Sequence, residues 1–355
     1  MVQTQERRPA SDRASAKPLR PRDSPPLLMR LVGLFRRHRR TLRRLGIAAS
    51  LLISAVSAAI FLRTLMHVDL NKFGAALAAT SRRQVVLGFA FTTLSYLALT
   101  GYDGLALRHL GVRIPYWLTA LASFASYAVS FTLGFPLVTG GAIRYWLYAP
   151  AGLTAAKVAS LTVVAGVTFW LGLGSIVGIG FMTASDAVAE INHFHPVANR
   201  LIGLGAIGAL IVYLGWVGGM RWRGTSVVGR FKLPGPLVTL GQMALGMTDV
   251  CSAAAALYVL LPNGVPIGFP TFATLYSFAA MLGIASHSPG GLGVFEATIL
   301  QGVPGPDNAL LASLLLFRGI YYVAPFIGAM ALLGGVEAIR RWRSIREAMS
   351  APSTE

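Results

Sequence analysis

Residues 287–296 have the sequence HSPGGLGVFE, which places helix-breaking residues and a carboxylate inside a long apolar region. The breakers are Pro289, Gly290, Gly291 and Gly293. Proline removes a backbone donor and glycine raises the free-energy cost of helix, whereas the flanking residues 271–285 and 297–300 are apolar. In a bilayer, non-helical backbone is tolerated only where protein covers it or where it lines a wet cavity. The stretch therefore predicts a broken helix at membrane depth, where the Glu296 carboxylate needs a partner and becomes a candidate site residue.

The amino-acid composition indicates a membrane protein. Hydrophobic residues make up 54% of the 355 residues, charged residues make up 12%, and the mean hydropathy is +0.62. A soluble domain carries charge on about a quarter of its residues. We therefore predict an all-α polytopic membrane protein with about eight transmembrane or re-entrant helices. Cys251 is the single cysteine, which excludes internal disulfides and cysteine metal sites, and we predict no metal and no cofactor.

Basic residues beside the apolar segments account for much of the net charge of +18. Residues 1–44 are rich in Arg, Pro and Ser, which predicts a largely disordered cytoplasmic tail that contacts anionic phospholipid headgroups. The tail has no interleaved aromatic residues and no known nucleic-acid-binding module, so we predict no nucleic-acid partner. Residues 45–340 form the predicted transmembrane domain, and residues 341–355 form a cytoplasmic C-terminal tail.

Apolar runs of about twenty residues or more predict six full membrane crossings. The runs are residues 45–66, 85–107, 154–183, 197–219, 236–261 and 309–337. An interfacial helix is predicted within residues 67–83. Residues 185–195 contain no Lys or Arg and are predicted to form a loop on the outer face. The basic loop of residues 221–232 is assigned to the cytoplasm by the same rule.

Two further apolar segments begin and end on the same side of the membrane by this charge rule. Residues 114–152 predict a re-entrant hairpin broken around residues 136–141, and residues 266–306 predict a second hairpin broken at residues 289–293. One hairpin begins inside and the other outside, and the segments that enter them have similar sequences. The similar stretches are residues 114–124 and 269–278. These features predict an inverted repeat, an arrangement by which many transporters place a site at the membrane midplane.

Arg144 and Glu296 lie near the ends of the two broken elements and have opposite charges. We therefore expect them to meet near the pseudo-twofold axis, where pairing avoids two isolated charges in hydrocarbon. The alternative is that Arg144 extends to the cytoplasmic interface and that Glu296 bonds local backbone amides. Arg318, inside the last span, is the next most costly charge and is expected to neutralise Asp249 or Glu296.

Each predicted hairpin is preceded by a span that contains one buried acid, Asp103 in the first half and Asp249 in the second. Both are candidate supporting residues of the site. Asp103 lies near the inner end of its span, so its expected role is pairing with Arg108 or Arg113.

The non-helical backbone of residues 289–293 is a candidate anion site. Adjacent N–H groups outside a helix can hold a phosphate or carboxylate, above all where a helix begins. The run lacks the spacing of a nucleotide-binding loop, and no Lys-Ser or Lys-Thr pair follows it. We therefore take Arg144, Glu296, Arg318 and this glycine-rich run as the candidate substrate or translocation site.

Three motifs occur in order along the chain: YDGLALR at residues 102–108, TGGAIRY at residues 139–145 and SPGGLGVFE at residues 288–296. Together they resemble the membrane domain of the lysylphosphatidylglycerol synthase family, also called multiple peptide resistance factor, over about residues 45–340. The resemblance implies a membrane domain that translocates aminoacylated phosphatidylglycerol. Two-domain members of the family also carry a cytosolic domain that makes this lipid from aminoacyl-tRNA. Little sequence follows Arg346, so we expect no synthase activity in this chain.

The leading hypothesis is a lipid translocase of the bacterial inner membrane, which moves aminoacylated or other phospholipid without a cofactor by rocking of two inverted halves. One alternative is the membrane subunit of a split phosphatidylglycerol aminoacyltransferase, whose catalytic chain would dock on residues 221–232. A second alternative is a membrane scaffold or receptor that transports nothing. The sequence is compatible with a homodimer.

Overall fold

The computed structural model describes residues 70–350, apart from residues 135, 193, 224–226, 229–230, 233–234 and 287–288. The predictions for the basic tail of residues 1–44, for the first span of residues 45–66 and for residues 351–355 lie outside the described residues. Regular structure in the described chain is helical except for one short β-hairpin, which confirms the all-α fold class.

The described helices, numbered in chain order, are α1 Leu70–Ala79, α2 Arg82–His109, α3 Tyr116–Leu133, α4 Pro136–Tyr148, α5 Ala155–Thr183, α6 Ser185–Asn192, α7 Pro196–Trp222, α8 Pro236–Tyr258, α9 Phe269–Ala285, α10 Val294–Gly302, α11 Asp307–Phe317 and α12 Ala324–Ser350. Single turns of 3₁₀ helix follow α4 at Ala149–Ala151 and precede α10 at Pro289–Gly291. A π-helical segment, Arg318–Val323, joins α11 to α12. Between α7 and α8, β1 Val227–Val228 pairs antiparallel with β2 Phe231–Lys232.

Five helical segments of the described chain are long and apolar enough to cross a membrane. They are Arg82–His109, Ala155–Thr183, Pro196–Met220, Pro236–Tyr258 and Asp307–Trp342. They confirm the helices predicted from the apolar runs that follow the interfacial segment, and the chain is a multi-pass membrane protein. Helix α9 is also apolar but has only 17 residues. Helix α1 confirms that a helix lies within residues 67–83.

Local chemistry explains where several of these helices begin. The Ser81 side chain accepts the Gln84 backbone amide at 3.3 Å, and the Gln84 side chain accepts the Ser81 amide at 2.9 Å. This reciprocal pair satisfies two backbone donors that the first turn of α2 leaves free. Helices α4 and α8 begin with Pro136 and Pro236. Proline is well suited to the first turn because the donor that it lacks has no partner there in any case.

Helix α5 packs closely against its neighbours through glycines. A Cβ at Gly172 would overlap the backbone of Gly246 in α8, and a Cβ at Gly180 would overlap the Thr274 side chain in α9. Small residues let membrane helices approach closely and so strengthen their packing. Around this contact, aromatic and aliphatic side chains from α2, α3, α8, α9 and α11 form the core.

The interruption between α3 and α4 lies earlier in the chain than the break predicted around residues 136–141. Helix α3 ends before Gly134, whose φ is 82°, and α4 then runs from Pro136 through Gly140 and Gly141. A glycine with positive φ commonly ends a helix, and proline readily starts the next one. The prediction was therefore wrong in position, because two glycines within a helix do not suffice to end it.

The segment of residues 185–195, which was predicted to be a loop, contains helix α6. Asp186 lies in its first turn, where the helix dipole favours an acid. The Asn199 side chain in α7 donates to the Ser185 carbonyl at 3.3 Å, and the Asn192 side chain donates to Asn199 Oδ1 at 2.8 Å. These contacts with α7 stabilise a helix that the polar sequence alone did not indicate.

Candidate functional site

A buried ion pair joins α2 to α4. Arg144 Nε donates to Asp103 Oδ2 at 2.7 Å, and Arg144 Nη2 donates to Asp103 Oδ1 at 2.8 Å. The two side chains are 2% and 0% exposed. The Tyr127 ring from α3 has its centre 4.8 Å from Arg144 Cζ, which adds a cation–π contact. This two-pronged geometry supplies the hydrogen bonds that a buried pair of charges requires.

The Asp103–Arg144 pair corrects both predictions for its members. Asp103 lies on the buried face of α2, whereas Arg108 and Arg113 are exposed, so the acid does not pair with either arginine. Arg144 does not pair with Glu296, and because it is buried it does not extend to an interface either. The reason is that α4 continues past its two glycines and carries Arg144 back against α2.

A second ion pair lies where helical structure is interrupted between α9 and α10. Arg318 Nε donates to Glu296 Oε1 at 2.7 Å, and Arg318 Nη1 donates to the Gly290 carbonyl at 2.7 Å. Arg318 Nη2 lies 2.6 Å from the same Glu296 Oε1, so a second guanidinium nitrogen also contacts the carboxylate. The side chains of Arg318 and Glu296 are 11% and 16% exposed. The guanidinium is thus neutralised, and its Nε and Nη2 both contact one carboxylate oxygen.

Of the two partners predicted for Arg318, Glu296 is confirmed and Asp249 is wrong. Glu296 also bonds local backbone, because its Oε2 accepts the Gly293 amide at 2.8 Å at the start of α10. The alternative prediction that Glu296 bonds local backbone amides is therefore also confirmed. One amide of the predicted anion-binding run is already occupied by Glu296. Anion binding by residues 289–293 stays a prediction.

The glycines at this interruption are required by the backbone. Gly290, Gly291 and Gly293 have φ of 60°, 68° and 86°, a region that other residues rarely adopt. A Cβ at Gly290 would also lie 3.1 Å from the Phe131 carbonyl oxygen and 3.4 Å from Arg318 Nη1. The end of α3 therefore approaches the interruption so closely that a side chain would separate them. The helix break predicted at the proline and glycines is confirmed.

The π-helical segment that carries Arg318 has no obvious sequence signal. It positions Tyr322 so that its ring centre lies 4.4 Å from Arg318 Cζ, while the Phe295 ring centre lies 5.4 Å from the same atom. Tyr321 in the same segment stacks on Phe317 with ring centres 5.1 Å apart. π-Helical turns within α-helices are rare and occur frequently at functional sites.

Asp249 is buried near the middle of α8, and its partners are hydroxyl groups. Its Oδ1 accepts from Ser95 Oγ at 2.5 Å, and its Oδ2 accepts from the Tyr102 hydroxyl at 2.8 Å. Ser95 Oγ lies 2.8 Å from the Tyr321 hydroxyl. Asp249 thus occupies the space between the segments that carry the two ion pairs, without joining either one.

The sequence interpretation missed the hydroxyl-bearing and aromatic residues of the site. They are Ser95, Tyr102, Tyr127, Tyr321 and Tyr322. A usable signal was available in α2, where Ser95 and Tyr102 are two helical turns apart and therefore lie on one face. Polar side chains that share a face of an apolar helix indicate a buried polar contact.

These features define a class of helical, multi-pass membrane protein with two internal ion pairs and an interrupted helix beside one of them. The chain is 31% identical over 311 residues to the uncharacterized protein slr0712 of Synechocystis, covering 84% of this chain and 96% of that protein. It is 28% identical over 254 residues to the inner membrane protein YbhN of Escherichia coli, covering 70% of this chain and 79% of that protein. The chain belongs to the family of slr0712 and is also related to YbhN. It matches no protein-family model.

The comparisons also confirm the resemblance to the lysylphosphatidylglycerol synthase family. The chain is 24% identical over 288 residues to the phosphatidylglycerol lysyltransferase of Staphylococcus haemolyticus, covering 80% of this chain and 33% of that enzyme. It is thus homologous to the membrane region of these enzymes, their N-terminal third. The chain spans about a third of their length, so their activity as whole proteins does not transfer to it directly.

Proposed function

We propose that this chain translocates phospholipid across the membrane, in the manner of a flippase. The lysyltransferases whose membrane region it resembles act, by their name, on phosphatidylglycerol. The observation that carries the proposal is the Glu296–Arg318 pair, which lies at a helix interruption inside an apolar domain. Its two side chains are more exposed than those of the Asp103–Arg144 pair. An accessible side chain can exchange its ion-pair partner for a charged group of a substrate.

The chemistry of this pair suits a phospholipid headgroup. The Arg318 guanidinium has a planar array of donors that matches phosphate. Glu296 offers a carboxylate to the ammonium group of an aminoacylated or zwitterionic headgroup. A lipid that carries both charges would therefore replace the internal ion pair with two new ones. Such exchange lowers the cost of separating Arg318 from Glu296 during transport.

We further propose that α3–α4 and α9–α10 are re-entrant hairpins of an inverted repeat. Both pairs consist of short helices with an interruption between them. Each second helix carries one charge, Arg144 or Glu296, and each charge is neutralised from a longer apolar segment by Asp103 or Arg318. Rocking of the two halves about these pairs would open the site alternately to the two leaflets.

The direct test uses the purified chain in liposomes that contain fluorescently labelled phosphatidylglycerol and lysylphosphatidylglycerol in separate preparations. The parent chain is expected to move labelled lipid between leaflets without any partner protein, and Glu296→Gln is expected to abolish this movement. Glu337→Gln is the matched control, because Glu337 is 41% exposed and pairs with Arg341 on the surface of α12.

The result also separates the proposed translocase from its alternatives. A membrane subunit of a split aminoacyltransferase or a scaffold would leave labelled lipid where it was inserted. Lipid movement at the parental rate in Glu296→Gln would show that the ion pair is not the translocation site. Equal losses in Glu296→Gln and Glu337→Gln would point to damage of the protein rather than of the site.

We propose that the chain lies in a bacterial inner membrane with both termini in the cytoplasm. Single cysteines at positions 190, 305 and 345, in a Cys251→Ser background, report the orientation with an impermeant thiol reagent. Positions 190 and 305 are expected to react from outside, and position 345 only after permeabilisation. Position 144, which the charge rule also assigns to the inside, is unsuitable because Arg144 is 2% exposed. A probe at position 305 that reacts only from the cytoplasm contradicts the second hairpin and the inverted repeat.

A further inference from the structure

Among the described residues, Asp249 differs from Asp103 and Glu296 in having no arginine partner. It is 2% exposed, and no ion pair to it exists among the residues that the structure describes. Asp103 and Glu296 each accept hydrogen bonds from an arginine, whereas Asp249 accepts from Ser95 and Tyr102. An ionised carboxylate in an apolar interior is costly without a cation, and binding a proton removes that cost.

The hydroxyl groups around Asp249 suit both protonation states. When the carboxylate is ionised, Ser95 Oγ donates to it and the Tyr321 hydroxyl can donate to Ser95. When Asp249 carries a proton, its own O–H can donate to Ser95 Oγ, and Ser95 can donate to Tyr321 instead. Both hydroxyls are donors and acceptors, so the chain reverses without any heavy atom moving. The Tyr102 hydroxyl donates to the other oxygen in either state.

Apart from the two flanking ion pairs, the titratable groups that interact with Asp249 in the described chain are neutral around neutral pH. Tyrosines interact with its charge from four directions: Tyr96 and Tyr102 in α2, Tyr127 in α3, Tyr276 in α9 and Tyr321 in the π-helical segment. Cys251 does so from α8 itself. Tyrosine and cysteine ordinarily lose their protons only near pH values of about 10 and 8.5. Asp249 is therefore the group of this cluster whose charge changes when a proton binds or leaves below those pH values.

The hydrogen-bond partners of Asp249 connect it to both ion pairs. Its partner Tyr102 directly precedes Asp103, and the Tyr102 ring lies against Tyr127, whose ring covers Arg144. On the other side, Ser95 connects it to Tyr321, which precedes Tyr322 beneath Arg318. A change in the charge of Asp249 therefore acts on groups that touch both arginines.

We propose that Asp249 is the proton-binding site that couples proton movement to lipid translocation, an inference that rests on the proposed translocase function. One proton binds to the carboxylate from one side of the membrane in one conformation and leaves to the other side in the alternate conformation. The bond that forms and breaks is the carboxyl O–H bond. The ligand is a proton rather than a hard metal cation, because such cations take about six or more oxygen ligands. Around Asp249, the Ser95 and Tyr102 hydroxyls already lie at hydrogen-bonding distance from the carboxylate.

Infrared spectroscopy of the purified chain in lipid bilayers tests the site without requiring transport. We expect the carbonyl band of a protonated carboxylic acid to disappear as pH rises, to be missing in Asp249→Asn, and to persist in Asp186→Asn, whose side chain is 79% exposed in the parent. If Asp249→Asn does not fold, Ser95→Ala serves instead, and it should shift the band because it removes the hydrogen-bond partner. A titrating band that survives in Asp249→Asn, or one unaffected by Ser95→Ala, overturns the proposal.

Proteoliposomes with a pH-sensitive dye inside test the coupling. The parent chain should show proton influx that depends on lipid translocation, and an imposed pH gradient should accelerate lipid movement. Asp249→Asn should lose both effects, whereas the surface variant Glu337→Gln should keep them. The proposal is overturned if a sodium gradient, rather than a pH gradient, accelerates lipid movement by the parent chain. It is also overturned if the rate of lipid movement by the parent chain does not depend on the pH gradient. If the parent moves no lipid, the translocase proposal fails, and the infrared titration alone decides whether Asp249 binds a proton.

Discussion

The two internal ion pairs of the described chain, Asp103–Arg144 and Glu296–Arg318, neutralise the same kinds of charge in different ways. In the Asp103–Arg144 pair, both carboxylate oxygens accept from one guanidinium, and the pair is almost completely buried between continuous helices. In the Glu296–Arg318 pair, the carboxylate divides its oxygens between an arginine and the Gly293 amide, and the arginine divides its donors between Glu296 and the Gly290 carbonyl. The second pair also lies between an interrupted helix and a π-helical turn.

This difference indicates a division of roles. A closed, two-pronged pair holds α2 and α4 together, and separating it would leave two charges in an apolar interior. In the second pair, Glu296 keeps its bond to the Gly293 amide and Arg318 keeps its bond to the Gly290 carbonyl when the two side chains separate. Separating this pair therefore costs less free energy. We therefore expect mutations of the first pair to act mainly on stability and mutations of the second to act mainly on transport.

The largest effect is expected from Arg144→Gln. This change leaves the Asp103 carboxylate buried without a cation, which costs about 3–5 kcal/mol of unfolding free energy for a buried pair. Asp103→Asn should have a similar effect by leaving Arg144 alone. The double variant should be more stable than either single variant, because neither charge is then left without a partner. Reversible denaturation in detergent or bicelles measures these free energies, and single variants as stable as the parent would contradict the proposed role in holding α2 to α4.

A smaller loss of stability is expected from Arg318→Gln. Glu296 keeps its bond to the Gly293 amide and is 16% exposed, so the expected loss is about 1–3 kcal/mol. Lipid translocation in liposomes should nevertheless be lost, whereas Arg341→Gln on the surface should retain it. If Arg318→Gln destabilises the protein as strongly as Arg144→Gln does, the two pairs have the same structural role and the division between them disappears.

The smallest of the three effects is expected from Gly290→Ala. Its φ of 60° makes a side chain unfavourable by about 1–2 kcal/mol, and the added Cβ would press on the Phe131 carbonyl. Gly174→Ala is the control, because a Cβ there meets nothing within 4 Å in the interior of α5 and alanine favours helix. Thermal unfolding of both variants measures the contrast. Equal stability of Gly290→Ala and the parent would show that the interruption tolerates other residues and that α3 does not need this close approach.

Within the candidate site, the sequence predicted which residues matter better than it predicted their partners. Arg144, Glu296 and Arg318 were identified because a charge in an apolar helix always requires a partner, a rule that needs no knowledge of the fold. The pairing of Glu296 with Arg318 was among the predicted alternatives, but the pairing of Asp103 with Arg144 was not. Charges 41 residues apart meet because two helices pack in a particular orientation, and that orientation is set by contacts along their whole length.

The sequence by itself determined the class of protein, the positions of its long apolar helices and the break before α10. Each of these features depends on neighbours in the chain: about twenty apolar residues span a bilayer, and proline followed by glycines ends a helix. Tertiary structure alone decided the formation of α6, the π-helical turn at Arg318 and the hydroxyl partners of Asp249. These features arise where side chains from distant segments meet, because buried polar groups bind whichever partners the packed helices place within reach.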